Sequence, residues 1–233
     1  MKLHLLLVLS IALTGCSAGS KLAKENIEDL SFAEKVTEDF SKRLGEGAFG
    51  KSSPELRFQS SSSEAVYYDS KKNRVFLTPY GELENHQSFY QEWSSELENF
   101  QDGESLYESL LYHWMLPHQI AYAFQERVGP LPERPWDAEM NANMLSWLFL
   151  KEMNFYQLEE GDIIEAMEAI RKKTEQQLKA EGVDLHALQE NYAMINTIQR
   201  YWYLQSSNFL TAYRVSRAIS LEKMIKAIRR RAK

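Results

Sequence analysis

Apolar residues recur three and four positions apart at Ile27, Leu30, Ala33, Val36, Phe40 and Leu44, a spacing that predicts an amphipathic helix. The pattern stops at Gly45 and Gly47. From Gly45 to Ser63 the chain carries glycines, Pro54 and the run Ser60–Ser63, which predicts a loop or connector. The period then changes. Ala65–Tyr68 and Arg74–Leu77 are rich in valine and aromatic residues, and Asp69–Asn73 between them has turn chemistry, so this segment predicts a β-hairpin. Everything beyond reads as helix: Leu83–Phe100, Ser105–Val128 with Pro117 inside it, Asp137–Met153 behind Trp136, Asp162–Ala180, Asp184–Gln205 and Asn208–Arg231. Gly129–Pro135, with three prolines, reads as a loop. The expected class is α+β and mainly helical, with a small sheet packed on a helical core and further helices at the C-terminal end.

The first residues obey a different logic. Lys2 gives a short positive start and Leu5–Leu13 a continuous apolar run. A run of about nine residues has the length of a secretory signal, whereas a bilayer span needs roughly 20. The ending Leu13-Thr14-Gly15-Cys16 resembles the lipobox of bacterial lipoproteins. The resemblance implies cleavage before Cys16, a lipid on its thiol, and a membrane anchor. Cys16 is the one cysteine of the chain, so an exported protein of this sequence has no internal disulfide and lipidation gives the thiol a purpose. In that family an aspartate after the cysteine marks retention in the inner membrane. Ser17 stands there instead, which points to a periplasm-facing protein on the outer membrane of a two-membrane host.

The expected organisation is therefore a signal over 1–15, a lipidated tether over 16–20, and a single domain over 21–233. That domain divides into an N-terminal helix and loop (21–63), a core (64–153) and C-terminal helices (154–233). Formal net charge is −6, and removal of the signal takes away Lys2 alone among charged residues, which argues against nucleic acid as a partner.

Two helical segments carry candidate chemistry. His118-Gln119-Ile120-Ala121-Tyr122 has the frame of HExxH, in which two histidines four apart bind zinc and the glutamate beside the first is the general base. Further on, Glu139-Met140-Asn141-Ala142-Asn143 resembles the ExxAN element of the gluzincin metallopeptidases, whose glutamate is the third zinc ligand. The resemblance covers roughly Glu64–Met153. It implies a zincin-like core, with the hairpin beside the cleft and Tyr67 and Asn143 as possible lining. Carried over by position, His118 and Glu139 keep the first and third ligands. Tyr122 stands for the second histidine and Gln119 for the base.

These departures change the chemistry. A phenol of pKa about 10 is a poor zinc ligand at neutral pH, and an amide takes no proton from water. The expectation is a degenerate site with no catalytic residue, no resident metal and no other cofactor. The chain would then be a lipid-anchored envelope protein that binds a protein or peptide partner. The alternative is an active metal-dependent hydrolase with an unorthodox site, and zinc as its cofactor. His113 is a poor replacement ligand. Five residues of helix turn it about 140° away from His118.

Two C-terminal features remain. Tyr192, Ile195, Ile198, Trp202 and Leu204 read as a face packed on the core. Lys223, Lys226, Arg229–Arg231 and Lys233 form a basic cluster suited to a helix C-terminus or to anionic headgroups.

The lipobox makes a direct prediction. Cys16→Ser releases the protein from the membrane fraction or blocks its maturation. Mutant protein still fully membrane-bound at mature size on fractionation contradicts the anchor.

Overall fold

The computed structural model describes residues 26–45, 49, 53–84, 86–153, 160–195 and 197–231, so the proposed signal, Cys16 and the tether lie outside the described residues. The described chain is mainly helical with a three-stranded mixed sheet. Among its helices, none is long and apolar enough to cross a membrane.

The first helix, α1 (Asn26–Leu44), buries Ala33, Val36, Phe40 and Leu44, the later part of the predicted stripe. Phe40 stacks on Phe149 with ring centroids 4.2 Å apart. The helix ends at Gly45, whose φ of +97° is a left-handed conformation that suits glycine. There the Arg229 guanidinium donates to the carbonyl of Leu44 at 2.8 Å, covering one of the helix's unpaired acceptors.

The hairpin forms as β2 (Val66–Asp69) and β3 (Arg74–Leu77), paired antiparallel. Its turn is fixed by Asp69, whose carboxylate accepts from the backbone N–H of Lys71 and Lys72, and by Asn73 at φ +51°. The expected loop contains a third strand, β1 (Glu55–Phe58), parallel to β3 on its far side. Its four residues alternate, with Leu56 inward beside Val75, while Glu55 outside accepts from Arg74 Nε at 2.6 Å. Leu56, Tyr68, Val75 and Leu77 form the buried face of the sheet. Tyr68 ties that face to the helices by accepting from Arg127 Nε at 2.8 Å.

Between the sheet and the next helix, Tyr80–Glu82 make a short 3-10 turn. The segment predicted as one helix over Leu83–Phe100 is helical only as α2 (Gln87–Ser94), with turns on either side. The apolar stretch around Pro117 is resolved into α3 (Gly103–Leu110), a π-helical turn (Leu111–Met115) and α4 (Leu116–Val128). Proline lacks an N–H and its ring crowds the preceding turn. The wide turn, in which Leu116 N–H bonds the carbonyl of Leu111, accommodates it at the start of α4 without ending the helical run.

Helix α5 (Pro135–Met153) begins on the proline that sequence had placed in the loop, the position where a missing N–H is harmless. Next come α6 (Glu160–Ala180) and α7 (Leu185–Glu190). The last two, α8 (Ile198–Ser216) and α9 (Leu221–Arg231), correct the predicted C-terminal boundaries. The expected break at Ser206 and Ser207 lies inside α8, within an unbroken buried run from Trp202 to Leu210. The Ser206 hydroxyl donates to the carbonyl of Trp202 within the helix, and Asn208 finds its partners on α5. Helix α8 lies against both α5 and α6, and α5 against α4. Trp202 sits among Trp93, Trp114 and Tyr90, ring centroids 5.2, 5.5 and 5.8 Å away. The aromatic stretch is therefore core.

His113, in the π turn, faces α1: its Nδ1 lies 2.8 Å from the carbonyl of Ser109 and its ring 6.0 Å from Phe32. Burial pushes its pKa down from 6.5 to about 4, against a raising effect of the Ser109 bond. The folded chain keeps His113 neutral where the unfolded chain takes up a proton. Stability is thus complete above pH 6.5 and is lost as pH falls toward about 4. We expect His113→Gln to flatten this part of the profile, measured as urea unfolding free energy against pH. An unchanged slope would contradict a neutral buried imidazole.

Candidate functional site

Three helices each present a polar stripe to the others. In α4, His118 and Tyr122 are four apart, as are Glu139 and Asn143 in α5, and Gln205 and Asn208 are three apart in α8. Such spacings share a helix face. The buried ends of these stripes form one hydrogen-bonded chain.

Its atoms can be assigned without ambiguity. An indole N–H is only a donor, so the Asn143 atom 2.7 Å from Trp114 Nε1 is the carbonyl Oδ1. The Asn143 amide then donates through Nδ2 to Asn208 Oδ1 at 2.8 Å, and Asn208 Nδ2 donates to the carbonyl of Trp136 at 3.0 Å. A backbone carbonyl is only an acceptor, so the far end imposes the same orientation as the near one. Both asparagines are 0% exposed.

His118 takes its tautomer from this chain. Its Nδ1 lies 2.9 Å from the same Asn143 Oδ1, so Nδ1 carries a proton. Its Nε2 lies 2.9 Å from Glu139 Oε2. Gln205 Nε2 donates to Glu139 Oε2 at 3.2 Å. The two positions that the sequence singled out as remnant ligands therefore face one another, with His118 oriented from behind by an amide.

Tyr122 completes the group at half-burial, its ring centroid 6.5 Å from that of His118. Burial raises its phenol pKa, and the charges of Glu139 and Glu126 raise it further. Tyr192, from the short turn before α8, is raised for the same reasons, by burial first and then by Glu139. Its hydroxyl is buried with no partner, as is Gln205 Oε1. Gln119 is half-buried, and Tyr201 is 41% exposed. Solvent thus reaches one side of the group, and its surface is aromatic and carboxylate-bearing.

Two expected lining residues are placed differently. Asn143 is fully buried and lines no open cleft; it supports His118 from within. Tyr67 is on the outward face of the sheet, stacked on Phe76 at 5.2 Å. The period-two alternation of β2 gives the inward position to Tyr68 instead.

The donor set was tested against zinc. Catalytic zinc sites use three protein ligands. Here His118 Nε2 and Glu139 supply two, and the third position holds a phenol whose deprotonation is opposed by burial and by Glu139. The set does not fit zinc. At the position that the frame gives to the general base, Gln119 carries an amide, which takes no proton from water. What remains is a hydrogen-bonding centre.

Sequence reasoning did not find Gln205 and Asn208. They come from a helix distant in sequence, and Ser206-Ser207-Asn208 carries the composition of a loop. The comparisons add no relative: no protein-family model, curated protein or solved structure matches the chain.

The shared bonds predict coupling. Asn143→Ala leaves Trp114 Nε1, His118 Nδ1 and Asn208 Oδ1 unpaired and should destabilise by roughly 3–5 kcal/mol. Asn208→Ala should cost about 1–3 kcal/mol. The double variant should fall short of their sum by about 1 kcal/mol in urea unfolding, and strict additivity would contradict the chain.

Proposed function

We propose that this is a lipid-anchored envelope protein, held through Cys16 on the periplasmic side of the outer membrane, in which a degenerate gluzincin-like helix pair recognises a protein or peptide and does not hydrolyse it. The observation that carries this reading is the His118–Glu139 contact with Tyr122 beside it. Two residues in the frame of zinc ligands pair with each other, and the third position is a phenol held in its protonated form. The buried amide behind His118 supports the same reading. Metal-binding histidines are commonly oriented through their other nitrogen, and Asn143 supplies that contact here.

Binding suits the group better than turnover for a second reason. Glu139, the half-buried Tyr122 and the exposed Tyr201 offer a carboxylate and aromatic faces, which suit a polypeptide surface. Gln119, at the position of the general base in the frame, is an amide and takes no proton from water.

Elemental analysis and peptide cleavage test the reading. The unmodified protein should hold far less than one zinc per chain and cleave no peptide. Gln119→Glu with Tyr122→His restores the ligands and the base, and should raise zinc toward one per chain. Stoichiometric zinc with cleavage by the unmodified protein would establish the hydrolase instead. No zinc in the repaired variant would contradict the gluzincin-like frame.

A further inference from the structure

A second site lies away from the His118 group, where the C-terminal turns of α4 and α9 meet the loop before α5. A cavity of about 240 Å³ opens there, lined by Gln125 and Asn141 and walled by apolar residues including Leu131, Pro132 and Ile228, with the exposed Arg231 and Glu133 also on its lining.

Gln125 gives the cavity its chemistry. It is 3% exposed, and its Nε2 donates to the carbonyl of Ala138 at 3.0 Å. That carbonyl can only accept, so the amide orientation is fixed and Oε1 is its free end. Oε1 is buried and has no partner. A buried acceptor left unpaired is costly, and a ligand N–H would meet its need. Asn141 stands one helical turn beyond Ala138 on α5, is itself buried, and lines the same space with an amide that can both donate and accept. Arg231 is exposed and adds a cation at the rim.

We infer that this cavity binds the C-terminal end of a peptide: a secondary amide held by Gln125 and Asn141, an apolar last side chain against Leu131, Pro132 and Ile228, and the terminal carboxylate on Arg231. The volume is below that of sites for drug-sized molecules, and it suits one side chain with its flanking amide. The unpaired acceptor selects a ligand that donates, the Arg231 guanidinium meets its terminal carboxylate while Glu133 disfavours any second anion, and the walls select an apolar side chain between them. The inference stands apart from the reading of the His118 group.

Titration calorimetry of the full-length protein in detergent, with acetyl-Ala-Val as probe, tests it. Single-site binding is expected. The C-terminal amide of the same probe should bind about two- to fivefold more weakly, the worth of an exposed ion pair. Arg231→Gln should erase that difference. Gln125→Met should weaken the acid by about tenfold. Because that variant also loses the bond to Ala138, Leu131→Trp serves as the second test. It fills the cavity from a half-buried loop position, leaves the α4–α5 bond intact, and should abolish binding. No binding at millimolar probe, equal binding of acid and amide, or binding that survives Leu131→Trp would overturn the assignment.

Discussion

The bond from the Trp114 indole to Asn143 Oδ1 orders the centre of this protein. An indole can only donate, so a single contact decides which way a fully buried amide points. The orientation passes outward through Nδ2 to Asn208 and the Trp136 carbonyl, and through Oδ1 to His118 and Glu139. Burying an amide is costly unless it is hydrogen-bonded, and the nitrogen and oxygen of both the Asn143 and the Asn208 side chain have a partner here. The chain joins α4, α5 and α8. Apolar packing alone would let such helices slide by a fraction of a turn, whereas these bonds admit one alignment. The π turn that carries Trp114 belongs to the same device, because it takes up Pro117 without ending the helical run that presents both Trp114 and His118.

How much of this was legible in sequence depended on whether the signal was local. The stripe of α1 and the turn of the hairpin are local: the first is a spacing, the second an Asp69 and an Asn73 placed where the backbone needs them. Strand β1 was not legible. Its inward residues are too few to set a period beside a glycine- and serine-rich stretch, and it is held by a parallel partner met only after the hairpin has formed. The C-terminal helices failed for the opposite reason. Ser206-Ser207-Asn208 has loop composition, yet these residues are buried mid-helix because Asn143 and the Trp136 carbonyl lie opposite Asn208, and the Ser206 hydroxyl bonds back to its own helix. Only the fold brings that partner near.

The same contrast governs the site. His118 and Glu139 were legible because the motif frame is a spacing on two adjacent helices, and they do meet. Tyr67, expected only as possible cleft lining, lies on the outward face of β2, where a shift of one residue reverses the side-chain direction. Asn143 was assigned to a surface and is instead the support behind it. A frame can thus locate a pair of residues while leaving the direction of their neighbours open. The chemistry then depends on what replaces the missing letters. At position 122 the replacement is a phenol that its surroundings keep protonated, and at position 119 an amide. Neither supplies what a zinc-peptidase frame uses at that position.

The protonation of His118 is the most direct measure of the account, because it reports the orientation of the whole buried chain. In a ¹⁵N-labelled sample, long-range nitrogen–proton correlation spectra distinguish the imidazole nitrogens. Near neutral pH, Nδ1 of His118 should carry a proton that exchanges slowly with solvent, whether or not Nε2 is protonated as well. An imidazole protonated at Nε2 alone would mean that Asn143 presents no acceptor to it, and would contradict the arrangement on which both the core and the proposed site rest.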